Sequence, residues 1–244
     1  LSGGGTPAAL ASTRAGPTRD GEIRRWQDSG PAWDRWADAM ADPAARLNQP
    51  LLAALDLAPH HILLDLASGA GEPALTAAKA MTSHGRVLAS DLVPAMMAGA
   101  RRRGTGIGAL SFLAADMTAL PLPNASVDRV SCRFGLMFVP DAMGAVAEMR
   151  RVLRPNGLAA VLCWGPQADN TLFRLLDHML GGVPALSTLF RFAEEGGLSR
   201  LFSGAGFGTV TETALTQSAL ADAAKPFWRP TLEMAFAPAR RDVA

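Results

Sequence analysis

Apolar positions recur with two different periods along this chain, and the change from one to the other divides it. Between residues 30 and 57 the spacing is helical. Trp33, Trp36, Ala37 and Met40 follow i, i+3, i+4, i+7, with Gly30-Pro31 marking the start, and Leu47, Leu51, Leu52 and Leu55 carry a second helix broken or restarted at Pro50. From residue 61 short apolar runs take over. Residues 61–66, 86–91, 111–116, 127–132 and 158–164 read as strands, with helices predicted at 72–81, 94–103 and 141–153, the last stopped by Arg154-Pro155-Asn156-Gly157. Near-continuous apolar strands alternating with helices predict an α/β fold: a Rossmann-like doubly wound sheet, mostly parallel, with helices on both faces. Beyond Gly165 the pattern weakens. It predicts helices at 172–180 and 194–203, a strand at 209–214, and a last strand from the alternation of Leu232, Met234 and Phe236 that pairs as an antiparallel edge. Residues 1–20, rich in Gly, Pro, Ser, Thr and Ala, are expected to be disordered or loosely packed. Residues 21–244 then form one domain, with an N-terminal helical lid at about 21–57 and a helical insertion on the substrate side at about 167–203.

Composition narrows the class. With 244 residues, 49% of them hydrophobic, the chain can bury a core without staples. A net charge of +1 argues against a nucleic-acid binder, and a solvated helix end accounts for the one basic run, Arg101, Arg102 and Arg103. Cys132 and Cys163 sit in apolar runs and read as small buried hydrophobes rather than a disulfide; four histidines without ligand spacing predict no metal site. The longest apolar stretch, 158–164, is too short to span a bilayer, and the N-terminus lacks signal-peptide character, so the expectation is a cytoplasmic protein. Nothing in the sequence sets the oligomeric state.

Ligands of open α/β sheets bind outside the carboxyl ends of the strands. Three of those ends carry Asp65, Asp91 and Asp116. Asp65 is followed by the turn Ser68-Gly69-Ala70-Gly71-Glu72-Pro73, whose glycines allow close backbone approach, and Asp91 comes twenty residues after Gly71, the spacing at which a carboxylate meets ribose hydroxyls. A nucleoside ligand follows. The turn holds no Lys or Arg for a pyrophosphate and is flanked by Asp65 and Glu72, so a cationic nucleoside fits better: S-adenosylmethionine (SAM), with its sulfonium and ammonium.

Three segments resemble a known family. Leu63-Leu64-Asp65-Leu66-Ala67-Ser68-Gly69-Ala70-Gly71-Glu72-Pro73 is similar to motif I of the class I SAM-dependent methyltransferases. Asp116-Met117 with Leu120-Pro121-Leu122-Pro123-Asn124-Ala125-Ser126-Val127-Asp128 resembles a second family segment, and Glu148 to Leu158 the helix and turn before strand five. Together, over roughly residues 45–165, they look most like the ubiquinone/menaquinone-biosynthesis C-methyltransferase type. The resemblance implies that Asp65, Ala67 and Gly69 surround the methionine portion of SAM. It places Asp91 on the ribose, Leu92 on the adenine face, Asp116 and the Met117 amide on the adenine edge, and Arg133 near the methionine end. The implied partner is a small-molecule methyl acceptor with an O, N or C nucleophile.

Other readings stay open at this point. Trp33 and Trp36 serve either as a lid against substrate or cofactor or as ordinary core aromatics at helical spacing. His178 is a base or an ordinary helix histidine. An NAD(P)-dependent reductase could use Gly69-x-Gly71-x-x-Ala74, although the chain has no Tyr and only Lys79 and Lys225 for the usual catalytic pair. A non-catalytic SAM-binding protein would keep the same strand ends and lack an acceptor pocket.

Overall fold

The computed structural model describes residues 18–82, 84–179, 186–218 and 228–235; of the segment 1–20 expected to be loose, 1–17 lie outside them, as do Phe236 and Lys225, whereas Thr18, Arg19 and Asp20 cap and begin a helix. Five strands, β1 (Ile62–Leu66), β2 (Arg86–Asp91), β3 (Leu110–Ala114), β4 (Val127–Arg133) and β5 (Leu153–Leu162), form one sheet in the order β3-β2-β1-β4-β5, and every pairing is parallel. The order reverses between β1 and β4. Their exits diverge there and leave a crevice, the usual place for a ligand in this topology.

Alternation along each strand sends neighbours to opposite faces. Leu64, Val130 and Cys132 pack with Val146 and Met149 of α5 (Ala142–Val152) and Phe202 of α8 (Gly197–Gly204). Leu63, Val87 and Ala89 meet Ala74, Ala77 and Ala78 of α3 (Ala74–Lys79) and Leu55 on the other face. A third cluster, Met137, Phe138, Phe173, Leu176 and Leu189, lies with Trp26 and Trp228 beyond the strand exits.

Several expectations need correction. The first helix, α1 (Arg19–Trp36), begins well before Gly30-Pro31: Thr18 caps it through Gly21 N, Asp20 and Glu22 favour its first turn, and Pro31 is carried inside. Gly30 is packing, not punctuation, since a Cβ there would stand 3.3 Å from Ala95. Likewise α2 (Ala41–Ala54) continues through Pro50. The stop signals at 154–157 fall inside β5, in an irregular stretch where Val127 pairs with Leu153 but Arg129 with Leu158, and Asn156 takes a positive φ of 64°. No sixth strand occurs among the described residues. Residues 209–214 make no ladder. The stretch Leu232 to Met234 belongs to a helix, α9 (Arg229–Ala235), whose buried Glu233 is gripped by side chains of α1; three alternating residues were too short a sample to fix a period.

Candidate active site

The crevice is a cavity of about 260 Å³ with a mostly apolar wall. Its floor is built by backbone turns at the strand exits. Leaving β1, Ala67 takes φ +52°, Gly69 +49° and Gly71 +107°. Ser68 ties this turn to β2: its hydroxyl donates to Asp65 O at 2.8 Å and accepts from Ser90 N at 3.0 Å. Gly69 N then donates to Asp91 Oδ2 at 3.0 Å while Val93 N donates to Oδ1 at 3.0 Å, so two amides hold the carboxylate at the rim of the turn. Burial pushes this carboxyl up, against the lowering effect of those two amides.

At the β3 exit Asp116 Oδ1 accepts from the amide and hydroxyl of Thr118, and Oδ2 accepts from Arg19 Nε of α1 at 2.7 Å. Burial raises this group, but the Arg19 and Thr118 hydrogen bonds prevail and hold it below the usual carboxylate range. At the β4 exit Phe134 takes φ +57°, and a Cβ on Gly135 would collide with Ala67, so the two central exits touch through a residue that must lack a side chain. Ala67 and Phe134 both hold a conformation that L-residues rarely adopt, and both line the cavity.

The roof is α1. Arg19, Glu22, Trp26, Trp33 and Ala37 line the cavity, with Met234 of α9 beside them. Trp26 packs edge-on against Phe138 at 4.9 Å and against Trp33 at 6.3 Å. The far end of α1 is pinned to α4 (Ala98–Arg103), where Arg102 pairs with Asp34 and Asp38. Glu233 of α9 accepts from Trp36 Nε1 at 2.9 Å, Arg35 at 3.1 Å and Arg229 at 2.7 Å.

Of the residues singled out from sequence, Ala67, Gly69, Asp91, Leu92, Asp116, Met117, Arg133 and Trp33 meet around this cavity. Four do not. Asp65 lies beneath the floor, fully buried, with Oδ1 accepting from Ser131 Oγ at 2.7 Å and Oδ2 unpartnered; burial pushes its carboxyl up to about 6, while Ser131, Ser68 and the nearby Arg133 work the other way. Gly71 stands behind the turn, where a Cβ would come 2.5 Å from Leu75 and 3.0 Å from Ala100, so helix packing rather than ligand approach requires the glycine. Trp36 faces α9. His178 is exposed on α6 (Thr171–Met179), away from the cavity.

Sequence reasoning missed Glu22 and Arg103. Arg103 is only 12% exposed, donating to Ala70 O at 2.9 Å and pairing with Glu72 at 2.7 Å; the last of three arginines at a helix end gave no sign of this. It corrects two readings at once: the basic run is not merely solvated, and the Glu72 charge is already neutralised. Of the carboxylates that line the cavity, Glu72, Asp116 and Glu22 are ion-paired, with Arg103, Arg19 and Arg25, while Asp91 and Asp141 are held by backbone amides.

Residues 64–161 match the family model described as Methyltransferase domain. The chain is 32% identical over 173 residues to the ubiquinone/menaquinone biosynthesis C-methyltransferase UbiE of Methylobacterium nodulans, covering 63% of this chain and 68% of that one. It is 40% identical over 129 residues to UbiE of Acidiphilium cryptum, covering 51% of each. Across such curated relatives the chain spans from a third to about two thirds of their length. Among solved structures, the YcgJ protein of Bacillus subtilis aligns over 65% of this chain and 66% of its own, at 20% identity and TM-score 0.52. A chain in the complex of the Haloferax volcanii Trm112 methyltransferase activator with a methyltransferase aligns over 83% and 91%, at 21% identity and TM-score 0.60. These two show the fold, and the sheet order, the strand-exit site and the relatives agree: the chain belongs to the class I SAM-dependent methyltransferases, of the ubiquinone/menaquinone-biosynthesis C-methyltransferase type.

Proposed function

We propose that this chain transfers a methyl group from SAM to an O, N or C nucleophile of a small molecule held between the strand exits and α1. The observation that carries the reading is the Asp91 carboxylate, fixed by the Gly69 and Val93 amides at the rim of the glycine turn, which presents acceptor lone pairs to a ribose and nothing favourable to a phosphate. The residues present fit the cofactor. Asp91 would hold the ribose hydroxyls, Leu92 the adenine face, Asp116 and the Met117 amide the adenine edge, and Ala67 and Gly69 the methionine end, with Arg133 beside them. When bound, SAM supplies an electrophilic methyl on a sulfonium.

The chain's own contribution is alignment and exclusion of water. The floor is rigid because its turns are locked by amide and hydroxyl bonds, and the aromatic roof keeps solvent from the space between α1 and the β4 exit. The names of the relatives put quinone-type ring acceptors in the range to be tried, beside phenols and amines. Titration calorimetry with SAM, its demethylated product and NADH tests the cofactor reading, which fails if NADH binds and SAM does not. Transfer of labelled methyl to a panel of quinols, phenols and amines then separates an enzyme from a silent SAM binder. Removal of residues 1–40 should cost transfer far more than affinity for the product.

A further inference from the structure

Three polar atoms of α1 are buried without a hydrogen-bond partner among the described residues, Ser29 Oγ, Glu22 Oε2 and Trp33 Nε1, of which the last two concern the roof. Both residues line the cavity. Eleven positions separate them, about 16 Å along the helix axis, so they serve different groups. Trp33 is near the end that packs on Ala95 after β2, and Glu22 is near the end carrying Arg19 to Asp116 and Trp26 to Phe138. Glu22 therefore overlooks the exits of β3 and β4.

An orphan carboxylate oxygen in an apolar wall is costly unless a ligand completes it. Glu22 is 14% exposed, and its Oε2 is ion-paired with Arg25 Nη1 at 3.6 Å without a hydrogen bond, so the pair is neutral as a whole while the oxygen keeps its lone pairs free. The same guanidinium lies over the Trp26 and Phe138 rings and donates to Ala235 O at 3.2 Å. A cationic ligand group would meet Arg25 and Arg19; an anionic one would meet Glu22 itself, with Asp116 and Asp141 also lining the cavity. A neutral donor suits the place. The rings of Trp26 and Phe138 beside it favour a flat apolar body.

We infer that Glu22 is the recognition point for the methyl acceptor, its Oε2 taking a hydrogen bond from a neutral hydroxyl carried on an aromatic body that Trp26 and Phe138 enclose. The inference rests on the methyltransferase reading for the ligand's role, and on the cavity alone for the site. Burial, which raises the Glu22 carboxyl against the opposing effect of Arg25, makes the same oxygen a better proton acceptor once it is engaged.

Phenol and anisole, the same ring with and without the donor, are the probes. Each is titrated into the full chain, with and without S-adenosylhomocysteine, and followed by the indole N–H signals of Trp26 and Trp33. Saturable phenol binding at least tenfold tighter than anisole, reduced several-fold in E22Q and brought to the anisole level in E22L, is the result expected. Equal binding of the two probes, no phenol binding at all, or undiminished phenol binding in a folded E22L overturns the inference. Loss of S-adenosylhomocysteine affinity in E22Q also overturns it, assigning Glu22 to the cofactor instead. Failure of the wild type to bind S-adenosylhomocysteine counts against the methyltransferase reading, and the cofactor-free titration still decides the role of Glu22.

Discussion

The floor and the roof of the cavity are made in different ways. On the floor, the turn after β1 is written locally: Gly69, Gly71 and Ser68 shape the backbone, and Asp91 at the end of β2 closes it by accepting from the turn's own Gly69 amide. The roof is a helix whose position is set by contacts nearly a hundred to two hundred residues away, Arg19 to Asp116, Trp36 to Glu233 and Arg25 to Ala235. A wall fixed by backbone geometry tolerates few substitutions, whereas a wall fixed by side chains from distant segments can change its lining while keeping its place. That division suits a shared donor below and a variable acceptor above.

Substitutions in the floor are expected to have the largest effects. Gly71→Val should cost about 2–5 kcal/mol, from its disfavoured φ and the clash with Leu75 and Ala100, and abolish S-adenosylhomocysteine binding; calorimetry and urea unfolding check both, and wild-type affinity in a folded variant refutes the claim. Asp65, under the floor, gives a pH signature. Its folded carboxyl is raised to about 6 from an ordinary value near 3.8, so the folded state takes up the proton first as pH falls. Holding the charge costs stability above pH 6, and the cost disappears between about pH 6 and pH 4. Unfolding free energies of wild type and Asp65→Asn, compared across that window, should shift by about 3 kcal/mol in favour of the wild type toward acid. A difference independent of pH would show that Asp65 is not the titrating group.

Asp91→Ala should weaken binding of S-adenosylhomocysteine by about 1.5–3 kcal/mol, the range for hydrogen bonds to a charged group, and this tests the rim where floor and ligand meet. The smallest effect belongs to the roof. Trp36→Phe keeps the ring and deletes the bond to Glu233, so stability should fall by about 1 kcal/mol, with binding of the cofactor product unchanged; a large loss of that affinity would mean that α9 helps to shape the floor as well.

The same division explains what was legible in the sequence. All five parallel strands could be read because each is a short apolar run bounded by turn residues, and Asp91 and Asp116 could be found because strand ends are where a sheet of this kind binds. Gly71 was found for the wrong reason, since sequence shows that a side chain is absent but not what would have met it. Asp65 was misplaced by one side-chain alternation: it points below the turn and not into it. Glu22, Arg103 and Glu233 carried no signal. Each is an ordinary charged residue on a helix, and its burial comes from partners that only the fold brings near. The final helix was mistaken for a strand because one of its two buried residues, Glu233 beside Met234, is polar and breaks the apolar pattern of a helix face.

The attachment of α1 is also uneven along its length. Its first turn is held by a charged pair that water reaches, Arg19 with Asp116, its last turn by Trp36 on the buried Glu233 as well as by Arg102 with Asp34, and its middle by the Trp26, Trp33 and Phe138 rings. Dissolved ions screen the first kind of contact and leave the second intact or strengthened. Raising ionic strength should therefore fray this helix from its first turn inward, with deuterium entering the amides there sooner while those from Trp26 onward keep their protection, so the background electrolyte becomes a gauge of how firmly the cavity is shut.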